Sequence, residues 1–536
     1  MTASFTSRVR SAIPDPAMTL GIAALGAASL AAILAGNGNL AVAAAPILGV
    51  LVVVAVARVP LRTSLLVLAF LALVLENPAE AFASGLWKSP LQPLGALLLM
   101  QLKSTLQVNA LVITGLDVFL ALFTTVWVVR RVLGSPTDAE GHVATPAPLV
   151  WAAIAAYATI AITWLHGMAT GGDFQNSLWQ LFRVIYLPGV FLLFSAGLRG
   201  MPDARAMGRV LVAAALVRAC LAVYIRHLFP DLEEMPHTTT HADSMLFANA
   251  FLLVLVRAVE APGRRSNVQA LLVLPVLVAG MIANNRRLVW VEVGMALAAV
   301  ALITRWSPLK AWLSRAFILA LPFLLLYVAV GWSHPTGPFA PVRTLRSVVD
   351  SSSDGSTRWR DWENYNLYAT ARKNPILGVG FGQPYEEVVR LPDISANYKL
   401  YRFAPHNSIL GVLAYGGALG FAGLFLLVPL GVFFAVRAYR FARTPSERVT
   451  ALTTIGIIVT YLMHLYGDMA LGTWTSVFCV GGALALGGKV AVSTGAWPYA
   501  ARSRAGRAVQ ARTPAPAPDA AWGAPGRPAP IVRSTP

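Results

Sequence analysis

The chain has 536 residues, 57% hydrophobic and 12% charged, with a mean hydropathy of +0.64, which is more apolar surface than one water-soluble core can bury. Its formal net charge of +18 would suggest a nucleic-acid partner in a soluble protein. Here Arg and Lys gather at alternate ends of apolar runs, with no basic helix interleaved with aromatics, so no nucleic acid is expected. Cys220 and Cys479 both lie inside apolar runs, which argues against a disulfide framework or a Cys-based metal site.

The first apolar run, 17 to 36, is long enough to remain as a span rather than be cleaved as a signal. Further spans are predicted near 40–57, 61–75, 110–129, 148–165, 182–197, 207–225, 244–259, 268–285, 288–304, 315–333, 407–436, 449–466 and 474–492. Lipid-exposed backbone must bond internally, so these predict an all-α polytopic membrane protein of about fourteen transmembrane helices. About eleven spans fall in 17–333, a long loop with short helices occupies 334–405, and the remaining spans lie in 406–492. No inverted repeat or matched pair of broken helices appears, which weakens a transporter reading.

Every second connection is basic: Arg58 and Arg62, Arg130 and Arg131, Arg199 and Arg205, Arg257 with Arg264 and Arg265, Arg305 with Lys310 and Arg315, and Arg437 through Arg440 and Arg443 to Arg448. These are the expected cytoplasmic loops. The opposite loops carry Glu76 and Glu80, Asp173, Asp231 with Glu233 and Glu234, and the long 334–405 loop, so that loop faces outward. Both termini, 1–16 and 493–536, are then cytoplasmic, and the Pro/Ala/Arg-rich tail is expected to be disordered.

Against this map, Asn284-Asn285-Arg286-Arg287 puts two arginines at an outer helix junction, where positive charge is disfavoured. Either they face an anionic partner, or they pair with Glu292 or another bundle carboxylate. In the long loop, Ser356 or Thr357 is a plausible N-cap for a helix running to Lys373, stopped by Asn374-Pro375. Trp359, Trp362 and Tyr365 fall at helical spacing suited to an interfacial aromatic belt, with Arg358 on the side of Trp362. This helix either anchors the loop at the interface or brings Arg358 to headgroup phosphates.

The run Asn374-Pro375-Ile376-Leu377-Gly378-Val379-Gly380-Phe381-Gly382 has the alternate glycines of a dinucleotide loop but no strand-turn-helix around it. It reads as a compact turn that lets another backbone approach. His406-Asn407 then opens the twelfth span, which continues through Gly417 and Gly420. A lone His at a helix start is an ordinary interface residue or a catalyst, and spacing alone leaves both open.

Taken in order, these segments resemble the superfamily of O-antigen ligases and polysaccharide polymerases across residues 270–430. That family has an outer Arg at a helix pair, an Arg-x-x-x-Trp helix in a long periplasmic loop, an Asn-Pro-x-x-Gly-x-Gly-x-Gly turn, and His-Asn followed by Gly-x-x-Gly. The corresponding residues are Arg287, Arg358 with Trp362, the 374–382 turn, and His406 with Asn407, Gly417 and Gly420. The Arg286-Arg287 doublet departs from a pattern of one Arg after Ser, so either guanidinium could face the site.

The resemblance implies a GT-C-like fold in a bacterial inner membrane. It also implies transfer of a glycan from an undecaprenyl-diphosphate-linked donor to an acceptor glycan or glycolipid such as the lipid A core, at the periplasmic membrane lipid surface. Arg287, Arg358 and Arg286 would hold the diphosphate, as planar guanidinium groups suit phosphate oxygens. His406 would be catalytic, as a base or positioner of the incoming hydroxyl, with Asn407, Trp362, Gly417, Gly420 and Asp468 in support. No Asp-x-Asp run occurs, and Asp361 and Glu363 point to different faces of a helix, so metal-independent transfer without a cofactor is expected. Arg183, Arg218, Arg226, His237, His241 and His464 are weaker candidates, explained equally by pairing inside the bundle. A ligase, a polymerase and a transporter or flippase remain the three alternatives.

Overall fold

The computed structural model describes residues 16–498 except 36–39, 78–88, 90, 104–112, 134–141, 233–234, 307, 335–338, 340–341, 343–345, 347–354, 394–399 and 469. The expected cytoplasmic N-terminus, nearly all of the expected disordered tail, and parts of the long loop lie outside the described residues.

Each apolar run forms a helix, as backbone in lipid requires. The first half contains α1 (Pro16–Ala35), α2 (Leu40–Arg58), α3 (Leu61–Val74), α4 (Gln92–Leu99), α5 (Gly115–Val132), α6 (Ala147–Ala169), α7 (Phe174–Val184), α8 (Tyr186–Gly197) and α9 (Met201–Leu228). The second half contains α10 (His241–Glu260), α11 (Arg264–Asn284), α12 (Leu288–Ile303), α13 (Pro308–Ser333), α14 (Gly355–Lys373), α15 (Ser408–Phe425), α16 (Leu427–Phe441), α17 (Pro445–Gly467) and α18 (Trp474–Ser493). Among the described residues nine helical segments are long and apolar enough to cross a membrane, and four shorter apolar helices accompany them.

The protein is thus an all-helical polytopic membrane protein, with three departures from the sequence expectation. Helices α4 and α7 were not predicted. Ser356 and Thr357 lie inside the first described turn of α14 rather than capping it, because the helix already includes Gly355. The twelfth span is two helices, and its first, α15, is itself broken at Gly417 (φ 59°, ψ −161°).

Several helix starts are fixed by side chains. Capping boxes close the starts of α5 (Thr114 with Asp117), α10 (Thr240 with Asp243) and α17 (Thr444 with Glu447). Helix α18 is buried along nearly its whole length, and its glycines let neighbours approach. A Cβ at Gly481 would stand 3.0 Å from Val190, and one at Gly487 would meet Thr454 at 2.8 Å.

Around α18 pack α8, α10, α16 and α17, and α17 packs in turn on α12. This grouping brings the start of α10, the α11–α12 junction and the end of α17 to one end of the bundle. The charge map assigns that end to the exterior.

Candidate active site

Arg286 lies just beyond α11, where Asn285 takes the left-handed conformation (φ 53°) and turns the chain into α12. That turn points the two arginines differently: Arg286 is buried and Arg287 is exposed. Arg286 Nη2 donates to the Thr239 carbonyl at 3.2 Å, and Nη1 meets His241 Nε2. His241 Nδ1 in turn lies 3.2 Å from Asp468 Oδ2 at the end of α17. Burial pushes the Arg286 guanidinium down to about 10, opposed by Asp468 and Asp243 and reinforced by the nearby Arg360 charge. It stays cationic at neutral pH.

Pairing of Arg286 with Glu292 is not what the structure has. Glu292 is fully buried against His464, whose Nδ1 lies 2.7 Å from Glu292 Oε1.

Helix α14 closes over this cluster. Arg360 Nη1 donates to the Gly467 carbonyl at 2.8 Å, next to Asp468. Three residues on, and so on the same face, the fully buried Glu363 accepts from the His406 backbone N–H at 3.1 Å and lies 3.3 Å from His406 Nδ1. The Trp359 ring stands edge-on to the His406 ring at 5.1 Å and faces Tyr401. Trp359 therefore turns inward, leaving Trp362 and Tyr365 exposed, which corrects the expected three-residue aromatic belt.

Two residues past His406, Ser408 Oγ donates to the Asp468 carbonyl at 3.2 Å. The His406 pair and the Arg286 cluster are thereby parts of one site. Arg358 lies exposed on α14, turned away from the face of Arg360 and Glu363. Asn407 is buried and caps α15, its Oδ1 accepting from the Leu410 N–H at 3.1 Å.

The glycine-rich turn explains the break in α15. Val379 N–H and Gly380 N–H donate to the Ala414 and Tyr415 carbonyls at 3.0 and 2.8 Å. From the other side, Ala418 and Leu419 donate to the Pro375 and Ile376 carbonyls at 2.8 and 3.0 Å. The turn thus replaces the hydrogen bonds that α15 gives up at Gly417. A Cβ at Gly417 would lie 2.4 Å from Ile376 backbone, and one at Gly378 2.3 Å from Tyr415 backbone, both at positive φ. Gly417 and this turn hold the loop onto the bundle, and Gly420 packs against Thr163. Neither glycine lies in the polar cluster.

The weaker candidates divide. Arg218 is fully buried in a bidentate pair with Asp243 (2.6 and 3.0 Å), with Glu76 at 3.7 Å. Arg226 donates to carbonyls of the α9–α10 connection, including Met235 at 2.8 Å. Arg183 packs beside Gly472. His237 neighbours His241, with ring centroids 6.3 Å apart. Burial, and then Arg286, holds its imidazole down at about 4. Sequence reasoning passed over Arg360 and used Glu363 only to argue against a metal. Their three-residue spacing on a helix ending at Asn374-Pro375 was the available signal.

Residues 270–425 match the family model described as O-antigen ligase. The match starts within α11 and takes in Arg286, Arg287, α14, the glycine-rich turn, His406 and all of α15. This part of the chain is similar to the O-antigen ligase family, which supports an activity of the ligase and polymerase class in general. No curated protein matches the sequence.

Proposed function

We propose, from the O-antigen ligase character of residues 270–425, that the protein moves a glycan from undecaprenyl diphosphate to an acceptor hydroxyl at the periplasmic face of a bacterial inner membrane. The acceptor is the lipid A core or a similar glycolipid. The family match carries this reading, and the convergence of Arg286, Arg360 and His241 beside the His406–Glu363 pair supports it.

In this mechanism the acceptor oxygen attacks the anomeric carbon as the bond from that carbon to the diphosphate breaks. The electron pair leaves on the diphosphate, and Arg286 and Arg360 offset the charge that grows there. Arg287 and Arg358, exposed at the rim, meet the arriving donor. His406 donates from Nδ1 to Glu363, which orients the ring and leaves Nε2 to take the acceptor proton. Asn407 fixes the start of α15 under that ring, Asp468 orients His241 against Arg286, and Trp362 anchors α14 at the lipid surface. Guanidinium groups supply the cationic charge, so transfer proceeds without a metal.

The test is transfer by purified protein from undecaprenyl-diphosphate-linked glycan to candidate acceptors, with chelator present throughout. Activity in chelator that falls by roughly 10²- to 10⁴-fold in His406→Ala is expected. Unchanged transfer in that variant would remove His406 from the chemistry, and strict metal dependence would overturn the arginine mechanism. A deletion strain separates the subclasses: unattached long polymer marks a ligase, single lipid-linked repeats a polymerase, and absence of external lipid-linked material a flippase.

A further inference from the structure

At the opposite end of the bundle, the end the charge map assigns to the cytoplasm, a cleft of about 860 Å³ opens between α9, α10, α11 and α17. That volume is within the range of small-molecule sites, about 300–1,000 Å³. Five arginines line it: Arg205 and Arg209, one turn apart on α9; Arg257 near the end of α10; and Arg264 and Arg265 at the start of α11. The positive end of the α11 dipole adds to their field.

Insertion orientation alone accounts for basic residues at this level, and three of the other arginines here are bonded within the bundle. Arg448 bonds Glu260 at 2.7 Å, Arg305 donates to the Arg440 carbonyl at 3.1 Å, and Arg437 donates to the Ala496 carbonyl at 3.0 Å. Among the described residues no carboxylate lies within 4 Å of the five cleft arginines, and Arg209 donates to the Arg205 carbonyl at 3.4 Å. The nearby acids are engaged elsewhere: Asp203 accepts from the Arg199 N–H, Glu447 caps α17, and Glu260 holds Arg448.

The floor of the cleft is apolar. At Ala204, Gly208, Leu253 and Thr450 it runs into a narrow crevice that continues into the bundle beside Leu211 and Ile457. Gly208 keeps this junction open, since a Cβ there would already stand 3.2 Å from Leu253. Five arginines beside an apolar slot match the shape and polarity of an amphiphile with a phosphate head.

We propose that this cleft binds an anionic phospholipid of the cytoplasmic leaflet, its phosphodiester held by the five arginines and part of one acyl chain in the crevice. The site is separate from the glycan chemistry and does not depend on that assignment.

The experiment is native mass spectrometry of the full-length protein released from mixed micelles containing equal phosphatidylglycerol and phosphatidylcholine. Preferential retention of phosphatidylglycerol is expected. The Arg205→Gln/Arg209→Gln double variant should lower that retention about thirtyfold, and Gly208→Leu should lower it with every arginine in place. Size-exclusion elution at the wild-type position identifies the variants that remain folded. Equal retention of the two lipids by the wild type overturns the proposal, as does unchanged preference in both folded variants. Glycerol 3-phosphate displacing the lipid at comparable concentration would assign the site to a free phosphate and equally reject a lipid.

Discussion

Two buried arginines, Arg218 and Arg286, stand near one end of the same bundle in different surroundings. Arg218 meets two carboxylates, Asp243 and Glu76, in a bidentate and a longer contact. Its charge is answered, and burial pushes the Glu76 carboxyl up even with the guanidinium beside it. Arg286 shares its surroundings with a second cation, Arg360, and with His241, while the Asp468 and Asp243 carboxylates act on it from the end of α17 and the start of α10. On the proposed reading, these two neighbouring guanidinium groups are what a diphosphate would meet. A buried cation in a bidentate carboxylate pair holds a fold together, and the proposed function gives the cation placed beside another cation a ligand to hold.

The largest expected effect sharpens this contrast. Arg286→Ala should lower transfer by roughly 10²- to 10³-fold, the scale for losing one preorganised donor to developing charge, while the variant elutes and melts like the wild type. Lys should recover only part of the rate because the planar fork is lost. A rate within twofold of wild type would break the comparison on the functional side.

On the structural side, Arg218→Ala strands two carboxylates in the bundle and should cost about 3–5 kcal/mol of stability. A detergent unfolding series reads this directly. Replacing Arg218 and Asp243 together by apolar residues of similar volume should restore a large part of the loss. Failure of that rescue, with equal destabilisation in single and double variants, would contradict the reading of Arg218 as a structural ion pair.

Glu363→Gln comes next in size. It keeps an acceptor for the His406 backbone N–H but removes the charge that orients the ring, and turnover should fall about tenfold with little change in KM. A pure KM effect would instead assign Glu363 to substrate binding.

The last expected effect is on acid stability. His237 is held near 4 in the folded protein by burial and Arg286, against about 6.5 in an unfolded chain. The unfolded state therefore binds more protons between these values. Stability is full above about 6.5 and falls as pH drops towards 4. His237→Gln should flatten that slope in a melting-temperature series, and an identical slope would exclude the residue as its source.

The helical plan could be read from hydropathy because each span's length and apolar content are local properties. Where a feature depends on tertiary pairing, the chain alone was ambiguous. Arg286 and Arg287 are neighbours in sequence, and only the left-handed turn at Asn285 decides which is buried. Arg358 and Arg360 differ by two residues on one helix, and their roles depend on which face packs on α15 and Gly467. The Glu363–His406 contact joins residues 43 apart. Gly417 was read only as part of the family pattern, and the turn that fills the break there lies some forty residues earlier. The glycine-rich turn was legible as a close-approach element, though not what it approaches.

The central claim, that the Arg286 and Arg360 pair is a diphosphate site, is tested most directly by equilibrium binding of undecaprenyl diphosphate to the purified protein. Wild type, Arg286→Gln, Arg360→Gln and Arg218→Met should be compared at matched folded fraction. A charge-assisted hydrogen bond contributes about 1.5–3 kcal/mol, so each of the first two variants should weaken binding roughly 10- to 150-fold, with Arg218→Met within about threefold of wild type. Unchanged affinity in both Arg286→Gln and Arg360→Gln would contradict the claim.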